Sequence, residues 1–323
     1  MVALQRRAWL LAAGLAACAA APDTPNTPNT PNTPLPAAGR PQPWRVLQGD
    51  FLSPALPAAG APPRAASGMF VRWMSPGALA LRGADLLVAD AGSGRLWRVD
   101  LAANAVTGIA GAPAGRGVAL ALGPDLSAWV LDPVARQVLR FARDGRLLQS
   151  HGIGLEMPSP VALALADGGL TLLLADGLGP QWTEQRGPGG LVRAVAPESG
   201  SGRRISGADG LALGRDGVFV LDRLAGAVHR VSRAGAVLQT LGQGSLMQPV
   251  ALAVDRNDRV YVHDAHDDSI RRLAPGQAVQ SWTAAELGVQ RIGGIAVDGL
   301  VLALSDAVVG SVVLHASLPG LAP

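Results

Sequence analysis

Over most of this chain, apolar residues come in short alternating runs separated by turn-forming residues. The stretch 250–282 is representative. Val250–Val254, Arg259–His263, Ser269–Leu273 and Ala278–Trp282 alternate apolar with polar positions, and between them stand Asp255-Arg256-Asn257-Asp258, Ala265–Asp268 and Pro275-Gly276. A period of two over roughly four to eight residues marks a half-buried strand. No segment keeps a 3.6-residue period over the roughly 12 residues a helix needs.

The runs belong to a repeat. Leu-Ala-Leu or a close variant recurs at 79–81, 120–122, 163–165, 211–213, 252–254 and 295–297. After each comes an Asp two residues beyond a Val or Leu: Asp90, Asp132, Asp176, Asp222, Asp264 and Asp306, at intervals of 42, 44, 46, 42 and 42. Eight residues further on stand Arg98, Arg140, Arg230 and Arg272. In the third unit the counterpart reads as Arg193, displaced by an insertion within Gly177–Gly190; in the sixth the position is Leu314.

Six such units of four strands predict an all-β fold, a six-bladed β-propeller with four antiparallel strands per blade. The Ala of each triplet suits the crowded inner strands, where small must face large. Each Asp ends a second strand, where its carboxylate can accept turn N–H groups; six at one period are scaffold positions rather than catalysts. The last unit stops after Ser311–Ala316, which leaves an open sheet edge. Trp44-Arg45-Val46-Leu47-Gln48 resembles the fourth strand at Val237-Leu238-Gln239, so the ring is expected to be closed by an N-terminal strand, with Met69–Trp73 as the alternative.

Val260-Tyr261-Val262-His263-Asp264 and Gly217-Val218-Phe219-Val220-Leu221-Asp222 resemble the NHL-repeat type of six-bladed propeller and the wider gluconolactonase-like group, from about Pro43 to the C-terminus. The Asn that names the NHL motif, three after the Asp, is replaced by Ser93, Ala135, Ala225, Asp267 and Val309. In the gluconolactonase-like enzymes the resemblance implies an axial metal held by Glu, Asn and Asp leading into the inner strands. Here those positions are Gly77, Gly117, Pro160, Asp209, Pro249 and Gly293, of which Asp209 alone could be a ligand. Amidating lyases of this fold use several His around zinc. His151, His229, His263, His266 and His315 fall on different strand types, which argues against convergence.

The N-terminal 40 residues differ from the rest. Arg6-Arg7 and the apolar run Ala8–Ala17 read as an export signal over residues 1–17, too short to span a bilayer. Leu15-Ala16-Ala17-Cys18 resembles the bacterial lipobox, which implies lipidation of Cys18. With Ala19 next, the resemblance implies the periplasmic face of a Gram-negative outer membrane. Gln5-Arg6-Arg7-Ala8-Trp9-Leu10 also fits a twin-arginine signal, so general secretory and twin-arginine export both stand. Thr24-Pro25-Asn26 then repeats through Pro34, and proline every third residue enforces an extended chain. Residues 18–43 are expected to be a tether reaching at most about 80 Å, with the propeller at 44–323.

Composition removes other classes. All 27 basic residues are Arg, against 24 acids, so the chain is near neutral and a nucleic-acid partner is not expected. A lone Cys excludes a disulfide framework, and the Gly-rich pieces lack a P-loop Lys. No catalytic residue, metal or cofactor is indicated. Candidate ligand-binding residues are Trp182, Glu184 and Arg186 in the third unit's insertion, with His151, Glu156, Asp209 and His266 on neighbouring loops. The reading is a monomeric, lipid-anchored, non-catalytic module that binds a protein, peptide or glycan on its loop face. The alternative is a metal-dependent hydrolase or lyase with an axial site.

Overall fold

The computed structural model describes residues 41, 43–51, 70–155, 157–179, 181–186, 192–197, 205–316 and 318. Cys18, the Pro-rich stretch up to residue 40, and Glu156 lie outside them.

Turn residues cut the alternating sequence into strands of three to seven residues, and these form six four-stranded antiparallel sheets. Blade 1 runs Pro76–Arg82, Asp85–Asp90, Arg95–Asp100, Ala105–Ile109; blade 2, Ala119–Leu122, Ala128–Asp132, Gln137–Phe141, Leu147–Gly152. Blade 3 runs Pro160–Ala166, Thr171–Asp176, Trp182–Arg186, Val192–Val195; blade 4, Gly210–Leu213, Val218–Asp222, Ala227–Val231, Val237–Leu241. Blade 5 runs Pro249–Val254, Val260–Asp264, Ser269–Leu273, Gln280–Thr283, and blade 6 holds Ile292–Asp298, Val301–Asp306 and Ser311–His315. Each inner strand touches the next around the circle, and that of blade 6 touches that of blade 1. The chain is therefore a six-bladed β-propeller, all-β but for one 3-10 turn at Asp167–Gly169 among the described residues.

Blade 6 takes its outermost strand from the N-terminal side. Arg45–Leu47 pairs antiparallel with Ser311–His315, Arg45 opposite Leu314 and Leu47 opposite Val312. The Met69–Trp73 segment lies elsewhere, Phe70–Arg72 pairing with Gly49–Phe51 in a two-stranded ladder.

The core lies between blades. Second strands such as Asp85–Asp90 and Val218–Asp222 are buried along their whole length because a blade covers each face. Small residues sit among large ones at these interfaces: Ala80 packs with Leu87, Leu122 and Val130, and Ala253 with Tyr261, Ile295 and Leu304. The junction of blades 6 and 1 is tighter still. A Cβ on Gly294 would stand 2.2 Å from the Gly77 carbonyl oxygen, so only glycine lets the two inner strands approach this closely. Ser305 Oγ donates to that same carbonyl at 2.8 Å.

The third unit departs from the sequence reading. Trp182–Arg186 is not an insertion loop but the blade's third strand, and Val192–Val195 is its fourth. The register position of Arg98, Arg140, Arg230 and Arg272 is filled in blade 3 by Glu184, opposite Leu173, not by Arg193. The unit's additional length falls in the connection 196–209 to blade 4. Reading the unit by its Arg failed because the charge at that position is inverted.

Candidate binding face

The repeating aspartates build one end of the ring. Asp264 accepts its own turn's His266 N–H at 3.1 Å and the N–H groups of Met247 and Gln248, which lead into the same blade, at 2.8 Å each. Asp306 does the same with Val308, Val309 and Gln290, and Asp90 with Gly92, Met74 and Ser75. Asp176 joins Leu178 to Ser159, and Asp222 joins Ala225 to Ser206. Asp132 caps Val134 and Ala135 of its own turn. Each of the first five thus ties two loops of the same face together through backbone groups.

Because the amide of the residue two after the Asp is held down or lies in the capped turn, its side chain points outward. That position carries Val134, Leu178, Leu224 and Val308, 87%, 75%, 80% and 53% exposed. Gly92 and the exposed His266 complete the set. Exposed Met74 and Met247, on loops gripped by Asp90 and Asp264, lie on the same face. The four aliphatics share one end of the ring, one on each of four blades.

On the axis this face opens into a cavity of about 650 Å³. The first residue of each repeated triplet lines it: Leu79, Leu120, Leu163, Leu211, Leu252 and Ile295. Its mouth is lined by Gly77, Gly117 and Gly293, with charge from Arg116, Asp209 and Arg291. Arg116 leads into blade 2 and Arg291 into blade 6, so the two flank blade 1, with Asp209 on blade 4 across the ring. Asp209 accepts the Arg223 N–H at 3.0 Å and lies 3.5 Å from its guanidinium. Neither Arg116 nor Arg291 has a carboxylate partner among the described residues.

The candidates read from sequence scatter. Asp209 is on the cavity mouth and His266 on the exposed turn. Trp182 is fully buried, packed with Ala164, Ala175 and Val220 between blades 3 and 4, and cannot anchor a partner. It read as a loop anchor because the Asp176-to-Arg193 spacing placed it in an insertion; the tryptophan is the strand's inward residue. Glu184 faces blade 4, taking Arg233 at 2.6 Å and Arg193 at 3.1 Å. Arg186 lies opposite Thr171, at the far end of the blade from the loop face. His151 sits in a cleft of about 80 Å³ between blades 2 and 3, beside Trp129 and Arg140. Burial there lowers its pKa.

The other histidines are spent within the ring. His263 meets Asp268 at 2.8 Å, and His315 Nε2 meets the Leu287 carbonyl at 3.0 Å. Among the described residues, no three of His, Cys, Asp and Glu converge as metal ligands would. Arg116 and Arg291 escaped the sequence reading because neither belongs to the repeat. The signal that could have found them is an Arg within three residues before an inner strand.

No protein-family model matches the chain, and comparison with curated proteins gives no match. Solved structures do resemble it. Virginiamycin B lyase from Staphylococcus aureus is 14% identical, with a TM-score of 0.52 over 72% of this chain and 78% of that one. A structural genomics protein from Bacteroides thetaiotaomicron is 14% identical, with a TM-score of 0.57 over 75% and 69%. Hydrazine synthase from Kuenenia stuttgartiensis is 10% identical, with a TM-score of 0.54 over 75% and 95%. At such identities the likeness concerns the propeller fold alone.

Proposed function

We propose that this protein is a non-catalytic binding module, a propeller lipidated at Cys18 and tethered to the periplasmic face of an outer membrane, which captures a protein or peptide on its loop face. The observation that carries the reading is the set of exposed aliphatics at one equivalent position of four blades, around an open axial cavity. An aliphatic rim with a central depression suits a partner's apolar side chains. The Leu15–Cys18 motif and the proline repeat support the anchor and the tether.

The test is capture from a native envelope extract by the wild type and by Val134→Asp/Leu178→Asp/Leu224→Asp. A discrete partner retained by the wild type and lost by the variant, at equal melting temperature, is expected. Equal capture by both would reject the face. For the anchor, Cys18→Ser should abolish lipid labelling and release the protein from membranes.

A further inference from the structure

We propose that the axial cavity is a binding site for an amphiphilic anion: a ligand with an apolar body and one carboxylate or phosphate group. The anion would be held by Arg116 and Arg291. The inference rests on the reading that the loop face is the binding face, and adds to it the chemistry of what enters the axis.

Three features carry it. The cavity, at about 650 Å³, is within the range of small-molecule sites. Six aliphatic residues, one from each blade, are among those that line it. Its mouth carries two guanidinium groups on either side of blade 1, and among the described residues no carboxylate pairs with either. The third charged group, Asp209, is already engaged by Arg223 on its own blade.

Several other guanidiniums in this ring are matched. Arg98 meets Asp85 at 2.8 Å, Arg259 meets Asp255 at 2.6 Å and Arg256 meets Asp298 at 2.9 Å. Two unmatched guanidiniums beside low-dielectric walls focus positive potential into the cavity. Arginine also presents donors in the fork that carboxylate and phosphate oxygens fit. A ligand entering tail first would therefore lay its apolar part against the aliphatic residues of the lining and leave its anionic group at the level of Arg116 and Arg291. The site binds and does no bond chemistry.

Two fluorescent probes with one apolar body separate the contributions: 1-anilinonaphthalene-8-sulfonate, which is anionic, and N-phenyl-1-naphthylamine, which is neutral. The full chain should bind the sulfonate at one site and about tenfold more tightly than the neutral probe. Arg116→Gln/Arg291→Gln should remove that preference and leave the neutral probe's affinity unchanged. Arg116→Lys/Arg291→Lys should keep most of it. If the glutamine variant does not fold, salt titration of the wild type decides: sulfonate affinity should fall with added NaCl and neutral-probe affinity should not.

Octanoate and octyl phosphate then distinguish the source of the anion by which of them displaces the sulfonate, with octanol as the neutral control. Equal affinities for the two probes in the wild type, an unchanged preference in the glutamine variant, or displacement by octanol as effective as by either anion would overturn the proposal. Failure of the loop-face reading is seen separately, as partner capture that survives the Val134, Leu178 and Leu224 substitutions.

Discussion

Glu184 of blade 3 receives the Arg233 guanidinium of blade 4 at 2.6 Å, from the register position at which blades 1, 2, 4 and 5 carry an arginine. In blades 1 and 4 that arginine reaches toward the next blade, Arg98 to the Leu126 carbonyl at 2.8 Å and Arg230 to Asp258 at 3.5 Å. Blade 3 makes the same kind of lateral tie with the charges exchanged. A double-mutant cycle with Glu184→Gln and Arg233→Met should give a coupling energy of about 1 kcal/mol in urea unfolding. Glu184→Arg should destabilise more than Glu184→Gln, because it adds a third guanidinium beside Arg193 and Arg233. A coupling near zero would mean the pair is merely exposed charge.

The seam between blades 6 and 1 makes a sharper demand. Gly294→Ala puts a methyl group where the Gly77 carbonyl oxygen stands 2.2 Å away, against the backbone of Gly77 and Ala78, which cannot rotate aside. The expected loss is about 1–3 kcal/mol, as for other overpacked sites. Gly299→Ala is no neutral control because its φ is +61°, but Gly152→Ala is, since nothing lies within 4 Å of a Cβ there. Equal melting temperatures for the Gly294 and Gly152 variants would show that the seam opens freely.

The outer edge of blade 6 tests the N-terminal segment. Arg45–Leu47 covers Ser311–His315, whose five residues are all buried. Deleting residues 44–50 exposes that strand and leaves its edge unpaired. Thermal unfolding should move to lower temperature for the domain as a whole. An unchanged transition would assign the ring's closure to something other than this strand.

Acid should act through Asp222. Burial alone would raise the pKa of the Asp222 carboxyl, but His229 together with the N–H groups of Ala225 and Ser206 holds it below the usual carboxylate range. A depressed folded pKa contributes stability that is fully present above the unfolded value, about 3.9, and is lost as pH falls through the folded value. Asp222→Asn should therefore cost about 1–3 kcal/mol near neutrality. The gap to wild type should narrow below about pH 4. Melting curves from pH 2 to 7 check this, and a constant gap would remove Asp222 from the acid response.

Blade number and strand order were legible because the Asp period and the triplets repeat the same physical constraint six times. Strand limits in the fifth unit read to within two residues, the fourth strand starting at Gln280 rather than Ala278. What was illegible lay where one unit breaks the pattern. Glu184 stands in for an arginine, so the third strand was misread as a loop and Trp182 as a surface anchor. The cavity mouth was only partly legible. Asp209 was visible as a residue leading into an inner strand, whereas Arg116 and Arg291 come to flank blade 1 only when the first and last units meet around the ring. The aliphatic rim, at a fixed offset from each Asp, was present in the sequence but has meaning only once the turns share one end.

The aspartates of the loop face grip main-chain amides and largely ignore the side chains those amides carry. Fold and recognition are thereby written in separate alphabets: the carboxylates hold the turns, and residues 134, 178, 224, 266 and 308 are free to vary. Gly92 is the exception, since a Cβ there would meet that of Met74 at 2.6 Å. A propeller built this way can change what it recognises one blade at a time without renegotiating its stability.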